Sequence, residues 1–152
     1  MQPWIQQHPA SWSVIFPIFF VAMWLLIFAA ISVVGGWHAL AERFRSDGSF
    51  TGVTWGWQSA YFRYRVHYGG CLIVGSNRDG LYLRILFPFR FMHPPLFIPW
   101  REISLTTSRY WLIGEVGRFQ LGRETQIPFT VGERLLKKIR AEAGDLTPLT
   151  MK

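Results

Sequence analysis

Between Ser13 and Val34 the alternation of polar and apolar positions disappears. These 22 residues carry no charged side chain, and the first charge in the chain is Glu42. Fourteen of them are Leu, Ile, Phe or Val, which together favour membrane insertion by about −4 to −8 kcal/mol. As a helix the stretch rises about 33 Å, enough to cross a hydrocarbon core about 30 Å thick. Pro17 falls near the first turn, where a missing N–H costs least. Trp12 and Trp37 bracket the span, about 37 Å apart along a helix, and are expected to act as interfacial anchors. A cleaved signal peptide fits less well, because residues 1–12 contain no Lys or Arg. A buried helix of a soluble protein fits less well too, since such helices rarely lack a polar face over six turns.

After the span the periods change. Gly35-Gly36 breaks the apolar run, and Trp37, Leu40, Ala41 and Phe44 then recur at helical spacing opposite Glu42, Arg43 and Arg45. Two readings stay open: an amphipathic juxtamembrane helix near the headgroups, or a continuation of the spanning helix. Ser46-Asp47-Gly48-Ser49 reads as a linker. Tyr61 to Tyr68 alternates with a period of two, which predicts a strand with Arg63, Arg65 and His67 on one face. Leu72-Ile73-Val74 and Leu81 to Ile85 flank Ser76 to Gly80, a hairpin pattern in which Asp79-Gly80 is expected to supply positive φ. Leu96 to Ile103 is a further strand, confined to an edge by Pro99. Tyr110 to Val116, Arg118 to Leu121 and Gln126 to Phe129 complete a run of short strands. Thr130 and Glu133 suggest a capping box, followed by the apolar stripe Leu135, Leu136, Ile139 and Ala143, with Gly144 to close the helix.

The expected organisation is therefore a short tail (1–12), a transmembrane helix (13–34), a juxtamembrane helix and linker (35–53), a β-rich domain with its closing helix (54–144), and a frayed tail (145–152). The fold class is α+β: one spanning helix, then an antiparallel β-barrel of about six or seven strands with a C-terminal capping helix. All 16 Lys and Arg and all nine Asp and Glu follow the span, so this part carries the whole formal charge of +7. Arg43 and Arg45 lie close behind the span, and the positive-inside rule then places the C-terminal bulk in the cytoplasm. A basic domain there is attracted to an anionic leaflet. The lone Cys71 suits a reducing compartment.

The quoted strands carry a resemblance. Leu72-Ile73-Val74, Asp79-Gly80-Leu81-Tyr82-Leu83, Ile98-Pro99-Trp100-Arg101-Glu102-Ile103, a strand near Trp111-Leu112-Ile113 and a closing helix resemble bacterial pleckstrin-homology-like (GRAM-like) domains. The likeness runs from about Trp57 to Ala143. It implies a bent barrel plugged at one end by its last helix, and a binding role toward lipids or proteins. The dense Lys/Arg cluster that phosphoinositide-binding relatives carry in their first hairpin is missing here.

Candidate contact residues for the membrane or a partner are Arg63 and Arg65, on their strand face, and Phe87, Phe89, Arg90 and Phe91. The last four belong to the aromatic, Pro-rich segment Phe87–Phe97, which is either buried as a barrel closure or exposed as an apolar patch seeking the bilayer or a protein. Catalytic chemistry finds little footing. Cys71 in an apolar strand reads as a core residue, and no nucleophile elbow, phosphate loop or dinucleotide fingerprint occurs. The four histidines have no metal-ligand spacing, so neither metal nor cofactor is expected. Nucleic acid is not an expected partner either, since no RNA-recognition signature appears. The expectation is a non-catalytic single-pass protein of the inner (plasma) membrane. Its cytoplasmic domain would bind anionic lipid headgroups or a membrane protein, with a homo-oligomer compatible. The alternative is an accessory subunit of a larger membrane complex.

Overall fold

The computed structural model describes residues 9–144. The expected tails therefore lie wholly or largely outside the described residues. An apolar helix α1 (Pro9–Gly35) leads into a short helix α2 (Trp37–Phe44). Seven strands follow: β1 (Val53–Tyr61), β2 (His67–Ser76), β3 (Gly80–Ile85), β4 (Leu96–Pro99), β5 (Ile103–Tyr110), β6 (Gly114–Leu121) and β7 (Ile127–Val131). Helix α3 (Glu133–Ala143) closes the chain. The fold is α+β, as expected. The strands form one antiparallel sheet, in the order β4-β3-β2-β1-β7-β6-β5, that curls into a half-barrel. This arrangement is compatible with a pleckstrin-homology-like fold.

α1 is 27 residues long, and from Ser11 to Gly35 it is apolar enough to cross a membrane. Its side chains from Ser11 to Met23 are exposed, which leaves this apolar surface without protein cover. The helix ends because Gly36 adopts φ 89°, a left-handed turn that glycine takes without strain. The site is also too tight for a side chain, since a Cβ there would lie 2.7 Å from Ile127.

α2 separates the two open readings. It is a distinct helix, yet its apolar face turns into the protein. Trp37 and Leu40 are fully buried, with the indole against Phe62, Tyr68 and His93 at ring distances of 5.6, 5.8 and 5.3 Å. Trp37 is thus a core residue rather than an interfacial anchor. The amphipathic stripe packs into the core, with Ala41 and Phe44 partly buried against it.

Several local expectations change for physical reasons. The Tyr61–Tyr68 alternation does not build one strand: a 3-10 turn over Arg63–Arg65 separates β1 from β2, with Tyr64 and Arg65 at φ 56° and 61°. The β2–β3 hairpin forms where expected, but Gly80 is not at positive φ. Asn77 Oδ1 closes the turn by accepting the Asp79 and Gly80 amides at 2.8 and 2.9 Å. Glycine is needed there because a Cβ would lie 2.5 Å from the Ile98 carbonyl. Leu96–Ile103 splits at a 3-10 turn, Trp100–Glu102, leaving Pro99 on edge strand β4. Tyr110–Val116 is not one strand: Tyr110 ends β5, residues 111–113 form the turn and Gly114–Val116 begin β6, with Tyr110 paired to Gly114.

No capping box forms at α3. Thr130 is held in β7, paired with Tyr61 and Arg118, and the helix begins at Glu133. The stripe Leu135, Leu136, Ile139 and Ala143 is buried as predicted, and Gly144 closes the helix at φ 81°. Ser76 Oγ ties it to β2 by donating to the Ile139 carbonyl at 3.1 Å.

Candidate functional site

Strand direction decides what lies near the end of α1. β1 and β3 run toward it, so the β1–β2 turn and the long β3–β4 loop lie at that end of the sheet. Four of the expected residues, Phe87, Phe89, Arg90 and Phe91, lie in that loop, and Phe89 packs against α1.

The β3–β4 loop runs back along the helix. Phe89 stacks obliquely on Trp24 and Phe28, with ring centroids 6.2 and 5.6 Å apart. Ser32 Oγ, fully buried, donates to the Met92 carbonyl at 2.7 Å. Trp37 Nε1 donates to the Pro94 carbonyl at 2.9 Å. His93, also buried, completes the clamp: Nδ1 donates to the Phe91 carbonyl at 2.6 Å, which leaves Nε2 to accept from Tyr68 Oη at 2.9 Å. Burial lowers the His93 pKa, favouring this neutral ring, while the Phe91 carbonyl pulls the other way. Burial likewise pushes the Tyr68 hydroxyl up, so it remains a donor.

The loop is thus fixed at its base and along the helix, yet its apolar tips stay outside. Phe87 is 77% exposed, and Phe89, Phe91 and Met92 remain partly open. Of the two readings of this segment, the rings follow the exposed one while His93 and Leu96 follow the buried one. Arg90 is exposed, its guanidinium 5.5 Å from the centre of the Phe87 ring.

Arg63 and Arg65 do not share a strand face. Arg63 reaches across to α1, where Nε and a terminal nitrogen donate to the Val34 and Val33 carbonyls at 3.1 and 3.0 Å. The Val33 carbonyl also accepts the Gly36 amide at 3.2 Å, and a cation beside the last turn complements the helix dipole. Arg63 is a cap for α1 rather than a contact surface. Arg65 points elsewhere, into an outer groove of about 930 Å³ that also involves Tyr64, Tyr110 and Arg118. Trp12 sits exposed near the start of α1.

Sequence reasoning missed Ser32, Tyr68 and His93. Ser32 carried a signal, being the only hydroxyl between Trp24 and Gly35. The Tyr68–His93 pair carried none, because 25 residues separate its members. The β5–β6 tip was missed as well: Trp111, Leu112 and Ile113 are 92, 74 and 67% exposed. It lies at the other end of β6 from the α2 contact, about 23 Å along the strand.

Cys71 is half-buried, and burial pushes its thiol up, away from the reactive thiolate. Among the described residues no group of three His, Cys, Asp or Glu gathers into a metal site. Comparison with protein-family models, with curated proteins and with solved structures finds no match in any of the three.

Proposed function

We propose that this is a non-catalytic single-pass membrane protein whose half-barrel is seated on, and partly in, the lipid surface through the β3–β4 loop. The observation that carries the reading is the contact of Phe89 with Trp24 and Phe28. Before Trp24, α1 has only 15 residues, Pro9 to Met23, about 22 Å of helix against a hydrocarbon core of about 30 Å. Polar Gln6, Gln7 and His8 precede it. A spanning α1 therefore needs Trp24 to Phe28 inside the hydrocarbon, and Phe89 goes with them. The exposed rings then meet acyl chains rather than water, removing the cost of leaving them open. Arg43 and Arg45 favour a cytoplasmic half-barrel on the inner (plasma) membrane. With α1 holding the domain beside the bilayer, weak contacts with anionic headgroups suffice to orient it.

A second reading, an accessory subunit contacting another membrane protein or a second copy, is favoured by one separate observation. The Trp111–Ile113 tip is apolar and open at the end of β6 away from α2, and no bond or ring contact described above ties it to α1.

The test needs the full chain, because α2 supplies Trp37 and Leu40 to the core and a fragment starting after it would lack both. A Cys71→Ala, Phe87→Cys variant carries a fluorophore at position 87 and is placed in lipid nanodiscs. The expected result is quenching by nitroxides on lipid chains and protection from aqueous iodide. Iodide quenching without nitroxide quenching would reject the seating. A reporter fused after Lys152 that is active only outside the cytoplasm is expected to stay silent; activity would invert the topology.

A further inference from the structure

Arg45 and Arg90, near the end of α1, have no acidic partner within 4 Å among the described residues. Arg45, directly after α2, and Arg90, in the β3–β4 loop, line one cleft of about 450 Å³ together with His38, Glu42 and Met92. The walls are held in place by bonds already described, Ser32 to Met92 and Trp37 to Pro94, and by the bridge that pairs Arg45 with Leu96. Glu42 is the single acid of the lining, and its carboxylate lies 3.7 Å from His38 Nε2 on the same helix. Two guanidinium groups against one carboxylate leave the cleft positive.

Its depth also matters. Met92 is bonded to Ser32, three residues before the end of α1, and the other wall is α2. If α1 spans, the cleft opens where the chain leaves the hydrocarbon. The Arg90 guanidinium is exposed and lies over the Phe87 ring, 5.5 Å from its centre, a cation–π contact that leaves its N–H donors open to a further ligand. The cleft is therefore apolar toward Met92 and cationic toward Arg45 and Arg90, which matches an amphiphile with a phosphate at its polar end.

We infer that this cleft holds the headgroup phosphate of an anionic phospholipid, with Arg45 and Arg90 as its ligands and the acyl chains lying along the β3–β4 loop. The inference rests on the seating proposed above and adds a defined ligand class and site to it. It is tested by native mass spectrometry of the full-length protein, extracted in mild detergent from vesicles of mixed phosphatidylglycerol and phosphatidylcholine. The wild-type chain retains phosphatidylglycerol in preference. An Arg45→Gln, Arg90→Gln variant loses that preference several-fold, whereas Arg78→Gln, Arg134→Gln, with the same loss of charge elsewhere, keeps it. Excess inorganic phosphate does not displace the lipid. Equal loss in both double variants, no preference in the wild type, or displacement by phosphate would each overturn the site. The probe at position 87 separates the two levels: in lipid without a lipid preference, only this inference fails; in water, the seating fails with it.

Discussion

The β3–β4 loop and the β5–β6 tip both turn large apolar side chains away from the core, and they are built in different ways. The loop is fixed to α1 and α2 by Ser32 and Trp37 and to β2 by the Tyr68–His93 pair, so its open rings are presented along α1. The tip is a simple hairpin end, with Trp111 almost wholly exposed. Exposed apolar area alone treats them alike. What separates them is that buried polar groups are committed to holding the loop, and such groups are costly unless satisfied.

Trp37→Ala should show the largest effect, since it removes a fully buried indole and the donor to Pro94. A loss of about 3–5 kcal/mol is expected, read as the denaturation midpoint of the full-length protein in detergent. An unchanged midpoint would mean that α2 does not support the loop. Ser32→Ala leaves the Met92 carbonyl unpaired and should cost about 1 kcal/mol, while moving the probe at position 87 toward iodide. No movement would separate the loop from α1.

The His93 clamp gives a pH dependence. Its folded pKa lies below the ordinary histidine value. Above about 6.5 both folded and unfolded chains hold it neutral, so the full stability is present there. As pH falls below that value the unfolded chain takes up the proton first, and stability declines until the folded pKa is reached. Tyr68→Phe removes the hydrogen bond to His93 Nε2 and should flatten this slope, measured by melting between neutral and mildly acidic pH. The smallest effect belongs to the tip: Trp111→Ala should change stability by no more than about 0.5 kcal/mol. A larger loss would show that the two regions are not as different as their contacts indicate.

Some of this was legible along the chain. α1 needed only its unbroken apolar run, and the β2–β3 hairpin needed turn residues between alternating segments. Elsewhere the same local signal had two outcomes. Tyr61–Tyr68 alternates, but the backbone reverses at Tyr64 and Arg65, where Arg63 is drawn to the end of α1. Trp111-Leu112-Ile113 looks like strand interior, yet pairing of Tyr110 with Gly114 makes it a bend. Asp79-Gly80 marked the right turn for the wrong reason, since the Asn77 side chain and the nearby Ile98 carbonyl set its geometry.

The amino-acid sequence alone determined the apolar helix, the class of fold, the β2–β3 hairpin and the buried stripe of α3. Each depends on periodicity or turn chemistry among residues close along the chain. Only the tertiary structure decided that Trp37 is core, that Arg63 caps α1, and that the Phe87–Phe91 loop lies against Trp24 and Phe28. Those outcomes depend on partners from 25 to more than 60 residues away, and burial and hydrogen bonding are properties of the neighbours a residue acquires when the chain folds.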